Sequence, residues 1–230
     1  MPDPSAPAHL RPVAALAPRV LLPGDPGRAL ALAQVLLGDD RRMFNHHRGL
    51  WGYTGTAADG EALTIQSTGM GGPSAAIVLE ELIALGVRAA VRVGTCAALS
   101  EDLRAGELVA ATDALGGDGT SRALGAPERR ALDAPITARL HTVSAHAGPV
   151  ASADLFYDDD IARDRWRREG ALAVDLETAA LAAVAARRGA AFGSVLAVVA
   201  TADGARLDDE AVTVAGEAVG RAGAHGLGAL

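Results

Sequence analysis

The chain contains no lysine; all 21 of its basic residues are arginine. That excludes Schiff-base chemistry on a lysine amine and the lysine of a phosphate-binding P-loop. Any phosphate held here must be gripped by guanidinium groups, hydroxyls and backbone N–H groups. Cysteine is nearly missing too: Cys96 stands alone, which excludes an internal disulfide and agrees with a reducing cytoplasm. No apolar run approaches the ~18 residues of a membrane span, and the N-terminus lacks the basic-then-apolar pattern of a secretory signal. Positive charge is also short, with a net −7, which argues against nucleic-acid binding. No pair of the six histidines has metal-ligand spacing, so no metal is expected. The expectation is a cytoplasmic protein with neither a membrane nor a nucleic-acid partner.

What is present is the material of a core. Half of the 230 residues are apolar and 21% are charged, as in a folded domain. Short β-branched runs alternate with alanine-rich segments. Strands are predicted at 19–22, 51–57, 62–67, 88–93, 107–112, 142–147, 171–174 and 193–200. Helices are predicted at 26–37, 73–85, 158–169, 176–188 and 208–221. This alternation predicts a single α/β domain over 1–230, with a three-layer α/β/α build and a central mixed sheet. Residues 1–18, rich in proline and alanine, read as a loose arm. The Gly-, Asp- and Pro-rich stretch 113–136 reads as a long loop at a site or interface.

Such folds bind ligands at the carboxyl ends of their strands, and there the unusual clusters lie. PGDPGR follows the first strand: Gly24 permits close backbone approach, and a helix N-terminus followed by Arg28 suits an anion. A plain strand-to-helix turn fits the same letters. STGMGGPS (67–74) has neither the dinucleotide nor the P-loop spacing, and reads as a tight turn or as backbone packed on a ligand. Arg92 lies inside the apolar run AAVRV, where an unpaired cation is costly, so it needs an anionic partner from the protein or from a ligand. Thr95 adds a hydroxyl just beyond, while Cys96 reads as a packed residue. In AVDLET, Asp175 and Glu177 either cap a helix or, for Glu177, accept hydrogen bonds from a vicinal diol. Asp203 ends the strand 194–200 and suits proton transfer if its pKa is raised. Phe156 and Tyr157 pack a core or stack a base.

Taken in order, PGDPGR, NHHRGLWGYTG, STGMGGPS with EELIALGVRAAVRVGT, SADLFY and VDLETAAL resemble the hexameric nucleoside phosphorylase family. That family comprises bacterial purine nucleoside phosphorylases and uridine phosphorylases. The resemblance covers about residues 9–205. It implies a trimer of dimers whose active sites are completed by neighbouring subunits, with inorganic phosphate as co-substrate and no cofactor. Carried onto this chain, it places Gly24, Arg28, Arg92 and Thr95 at the phosphate. Arg48 and His9 are expected to act across the dimer interface, Arg48 on the same phosphate and His9 on the ribose 5′-hydroxyl. Met70, Leu176 and Glu177 line the ribose site, and Phe156, Val174, Asp175 and Asp203 the base site. Arg28, Arg92 and Asp203 carry the catalysis, Asp203 as the acid that protonates purine N7.

SADLFY and Asp203 resemble the purine branch, and YDDDIARD (157–164) lacks the glutamine with which uridine phosphorylases read uracil. Purine nucleoside phosphorolysis is therefore the implied activity, with uridine phosphorolysis as the alternative. A nucleosidase that uses water, or a non-catalytic nucleoside-binding relative, are further readings. Two departures stand out. The last helix lacks the arginine that partners the family's catalytic aspartate, leaving Arg206 as a substitute, and Ala97 replaces a glycine beside the base.

Overall fold

A computed structural model describes residues 7–157 and 160–228. The first apolar run is β1 (Arg19–Leu22), and Pro26 opens α1 (Pro26–Leu36) in the first-turn position where its missing N–H is harmless. Asp25 caps α1, its carboxylate accepting from the Arg28 N–H at 2.6 Å. An antiparallel meander follows, of β2 (Arg42–Asn45), β3 (Gly52–Thr56) and β4 (Ala62–Gln66). Next come α2 (Gly72–Ala84) and the long β5 (Ala89–Ala98). The second half runs through β6 (Leu108–Gly116), α3 (Gly119–Ala123), β7 (Arg129–Ala131), α4 (Ala134–His141) and β8 (His146–Ser152). It closes with α5 (Asp160–Arg168), β9 (Ala173–Asp175), α6 (Thr178–Arg188), β10 (Ala191–Ala200) and α7 (Asp209–Leu227).

The strands join one mixed sheet in the order β10-β6-β8-β9-β5-β1-β4-β3-β2, with β7 beside β6. A further β10–β5 pairing closes β5, β10, β6, β8 and β9 into a ring and leaves β1, β4, β3 and β2 as an open wing. β5 is the branch point. Its start pairs β1 in parallel, ending at Leu22 opposite Arg92, and its last residues pair β9 antiparallel. Where β1 leaves and β9 has not yet joined, a crevice opens.

Alternation along the strands feeds two cores. Leu21, Val91, Val93 and Val195 pack toward α1, α4 and α7, while Val20, Leu22, Ala90 and Phe192 pack toward α2 and α6. These are the three layers that the alternation predicts.

Several expectations fail locally. The stretch 113–136 is not a loop: it holds the end of β6, α3, β7 and the start of α4. Its Gly and Asp residues are ends and caps, with Asp118 and Asp133 capping α3 and α4. The strand expected at 142–147 lies at 146–152, because α4 runs to His141 and a turn follows. β2 has no counterpart among the predicted strands. α7 continues past 221 to Leu227. Its glycines at 220, 223 and 226 lower helix propensity, but they let Leu32, Val93 and Leu140 press against the helix. The expected start of a helix at 158 lies outside the described residues. Nor is the described part of the arm loose. Buried Glu81 of α2 accepts the backbone N–H groups of Ala8, His9 and Leu10, and Leu10 is fully buried.

Candidate active site

The crevice beside β5 is a cavity of about 690 Å³. Two glycine loops form one rim. Gly69 N–H donates to Gly24 O at 3.0 Å and Thr68 N–H to Pro23 O at 2.9 Å, so PGDPG and STGMGG are joined backbone to backbone. A Cβ on Gly24 would sit 3.2 Å from the Gly69 carbonyl, which explains the glycine.

Arg92 forms the floor, only 3% exposed. Its Nε lies 2.7 Å from Asp175 Oδ2 and its Nη2 2.5 Å from Glu177 Oε2. Its Nη1 is buried without a hydrogen-bond partner among the described residues. Burial opposes the charge, but the two carboxylates outweigh it and push the guanidinium pKa above its ordinary value. The side chain folds back along its own strand. A Cβ at Gly94 would lie 2.6 Å from the Arg92 Cζ, so only glycine two residues on, on the same strand face, leaves it room.

Arg92 therefore has protein partners and still keeps a donor to spare. Asp175 is consumed by structure. Its two oxygens accept from Ser152 Oγ, Thr178 Oγ1, the N–H of Thr178 and Arg92. It lines the cavity at the expected position, and its carboxylate is engaged by the start of α6 and by Arg92. Glu177, at the cap position of α6, makes no capping bond there. Its Oε1 instead accepts from Gly71 N–H at 2.7 Å, which ties the glycine loop to the floor. Burial pushes the Glu177 carboxyl above its ordinary range, against the pull of Arg92.

Arg28 also lines the cavity, half-buried, its side chain against Gly216 of α7. Burial lowers its pKa, the Asp25 carboxylate opposes that, and the Arg92 charge adds to the lowering. Two guanidinium groups that repel across a cavity define a place for an anion. Thr95 lies beside them. Cys96 is buried, and its thiol pKa is pushed well up by that burial, which fits packing and not nucleophilic attack.

The other end is open. Met70, Val174 and Leu176 give apolar walls, and Phe156 and Tyr157 form an edge-to-face pair at 5.1 Å. Arg163 and Arg206 also line this end, with the Arg206 Cζ 5.9 Å from the Phe156 ring centroid. Asp203 is not among the lining residues. It is exposed, bound by Thr201 Oγ1 and the Ala205 N–H, and its pKa is lowered chiefly by the Thr201 bond. The raised pKa that an acid needs is not found there.

His9 and Arg48 are not among the residues that line this cavity. His9 Nδ1 is 2.7 Å from Glu81 Oε1, and Arg11 N–H donates to buried Asn45, which braces the turn at 47–49. Arg48 holds a left-handed backbone with φ 60°, rare for a residue with a side chain. Burial first, then the charges of Arg11, Arg48, His46 and His9, lower the His47 pKa. The arm and the NHHR turn thus make one cationic cluster.

Sequence reasoning missed Gly94, Ser152 and Thr178, took Gly71 only as part of STGMGGPS, and gave Arg206 only a substitute's part. The spacing of Arg92 and Gly94, two apart on one strand, was the available signal for the first.

The arrangement, a branched strand with a buried arginine under two glycine loops, defines a phosphorylase. Residues 18–230 match the Phosphorylase superfamily model, and the chain belongs to that family. Among its relatives, a DeoD-type purine nucleoside phosphorylase of Geobacillus kaustophilus (strain HTA426) is 38% identical over 80% of each chain. A guanosine phosphorylase of Halorubrum lacusprofundi is 36% identical over 88% of each. In structure, the chain is similar to uridine phosphorylase from Vibrio fischeri ES114, solved with 6-hydroxy-1-naphthoic acid. That likeness has a TM-score of 0.83 at 26% identity, over 92% of this chain and 91% of that one. Among the described residues, no helix is long and apolar enough to cross a membrane.

Proposed function

We propose that the protein cleaves purine nucleosides with inorganic phosphate, yielding the free base and α-ribose-1-phosphate. The observation that carries this is Arg92: it lines the cavity, is fixed by two carboxylates, and has an Nη1 without a partner among the described residues. A nucleosidase has no use for a second guanidinium, Arg28, lining the same cavity.

Phosphate sits between Arg28 and Arg92, with the Thr95 hydroxyl and the backbone at Gly24 as further contacts. Glu177 takes the ribose 2′- and 3′-hydroxyls, against Met70 and Leu176. Phe156 and Val174 flank the base. As the C1′–N9 bond stretches, the sugar gains cationic character. The phosphate charge stabilises it while the arginines hold the nucleophile in line. Phosphate is co-substrate, and the step as written uses no cofactor. The setting is purine salvage in the cytoplasm, in keeping with one free, buried cysteine.

The protein works as a hexamer, a trimer of dimers, in which Arg48 and His9 enter a neighbour's cavity. Their common cluster of basic residues, outside the lining of their own chain's cavity, supports this. Co-expression of Arg48→Ala with Glu177→Gln chains, each inactive alone, is expected to restore part of the activity. No rescue overturns the shared site.

The main test is inosine cleavage with and without phosphate. Ribose-1-phosphate formed only when phosphate is present is expected; release of free ribose without phosphate overturns the reading. Uridine, run beside inosine, tests the family's other branch and is expected to be the poorer substrate.

A further inference from the structure

The base end of the cavity presents arginine where a carboxylic acid was expected. Asp203 faces solvent and is engaged by Thr201 and Ala205. Arg206 lines the cavity, its Cζ 5.9 Å from the Phe156 centroid. The guanidinium lies over the Phe156 ring, so a purine set beside that ring or on its free face turns its edge toward the fork. Arginine offers donors only, in a planar fork, and accepts nothing. The matching edge is a pair of acceptors side by side, which a 6-oxopurine provides at O6 and N7. Adenine turns an amino donor toward the fork beside N7, and uracil has a carbonyl with no ring acceptor next to it.

We infer that Arg206 is the base-specificity residue of this enzyme and selects 6-oxopurine nucleosides, those of hypoxanthine and guanine, over adenosine and uridine. The inference rests on the phosphorolysis reading above and names its substrate class. Arg206 also serves the departure of the base. The C1′–N9 electron pair passes to the purine as the phosphate oxygen bonds to C1′. The resulting anion spreads over the imidazole ring and O6, where guanidinium N–H groups bind it without giving up a proton. The proton that the new phosphate monoester releases reaches the anion through water at the open mouth, where Tyr157 is 93% exposed.

The test compares kcat/KM for inosine, adenosine and uridine, at saturating phosphate, in the wild type, Arg206→Gln and Asp203→Asn. A bidentate arginine–purine contact discriminates by ~1–3 kcal/mol, so inosine is expected to exceed adenosine by about 5- to 150-fold. Glutamine pairs with adenine at N6 and N7, so Arg206→Gln is expected to reverse or abolish that ratio while leaving the phosphate KM in place. Asp203→Asn is expected to keep the ratio. Arg206→Gln with an unchanged inosine-to-adenosine ratio overturns the proposal, as does a wild type that prefers adenosine. Either result leaves phosphorolysis itself standing. A protein that cleaves none of the three with phosphate overturns phosphorolysis instead.

Discussion

The two ends of the cavity are built on opposite plans. At the phosphate end Arg92 is 3% exposed, held by two carboxylates, and roofed by glycine loops that are themselves hydrogen-bonded together. At the base end Phe156 is 57% exposed, and Arg206 contacts a neighbouring ring, not a buried carboxylate. The first end is preorganised: its Arg92 charge is fixed before any ligand arrives, and rearranging it costs stability. The second is adaptable, and can change its residues without disturbing the core. A chemistry common to a family belongs in the first, and a choice among bases in the second.

Substitutions at the floor are expected to hurt folding and activity together. Arg92→Ala leaves Asp175 and Glu177 without their cation, a loss of ~3–5 kcal/mol by the usual cost of breaking a buried pair. Its kcat/KM is expected to fall by about 10³-fold, with a sharply raised phosphate KM. Thermal melts and phosphate titrations read both, and an unchanged phosphate KM places the anion elsewhere. Gly94→Ala displaces the guanidinium without removing it; a misplacement of about 1 Å costs on the order of 10²-fold in rate. Steady-state kinetics with normal activity would show that Arg92 need not fold back on its strand.

Toward the mouth the effects shrink and separate from stability. Phe156→Ala is expected to raise the nucleoside KM about tenfold, within the range of base–aromatic stacking. Its melting temperature should be unchanged, since the ring is largely in water. A drop of several degrees would make Phe156 a core residue and erase the contrast between the ends. Smallest of all is Asp203→Asn, expected to change inosine kcat/KM less than about threefold, because a lowered, exposed carboxylate is a poor acid. A large loss restores Asp203 as the proton donor.

The same contrast governs what the sequence made legible. PGDPGR, STGMGGPS and VDLET were readable because a fixed, buried anion site needs particular residue types at particular strand ends. Arg92 betrayed itself by lying in an apolar run. What stayed hidden depends on contacts across the chain. Asp175 looks like any acid near a helix start until Ser152 and Thr178 close around it. Asp203 and Arg206 are three letters apart on a turn, and only the turn's course decides which of them meets the cavity. The segment 113–136 misled because caps and chain ends use the residues of loops.

The clasp between Glu81 and the start of the chain makes acidity a means of unfastening one segment. Burial pushes the Glu81 carboxyl up, but the bonds from His9 and the N–H groups of residues 8–10 outweigh it, and its pKa lies below the ordinary 4.5. A depressed carboxylate contributes stability above 4.5 that is lost as the pH falls through its lower, folded value. Protonation leaves three backbone donors sharing a neutral acid, so the arm is expected to detach as the pH falls below 4.5. Limited proteolysis across that pH range should release the N-terminal residues first, and Glu81→Gln should release them at neutral pH. The residue that closes the chain's beginning onto its second helix is thus also the one that sets the pH at which it opens.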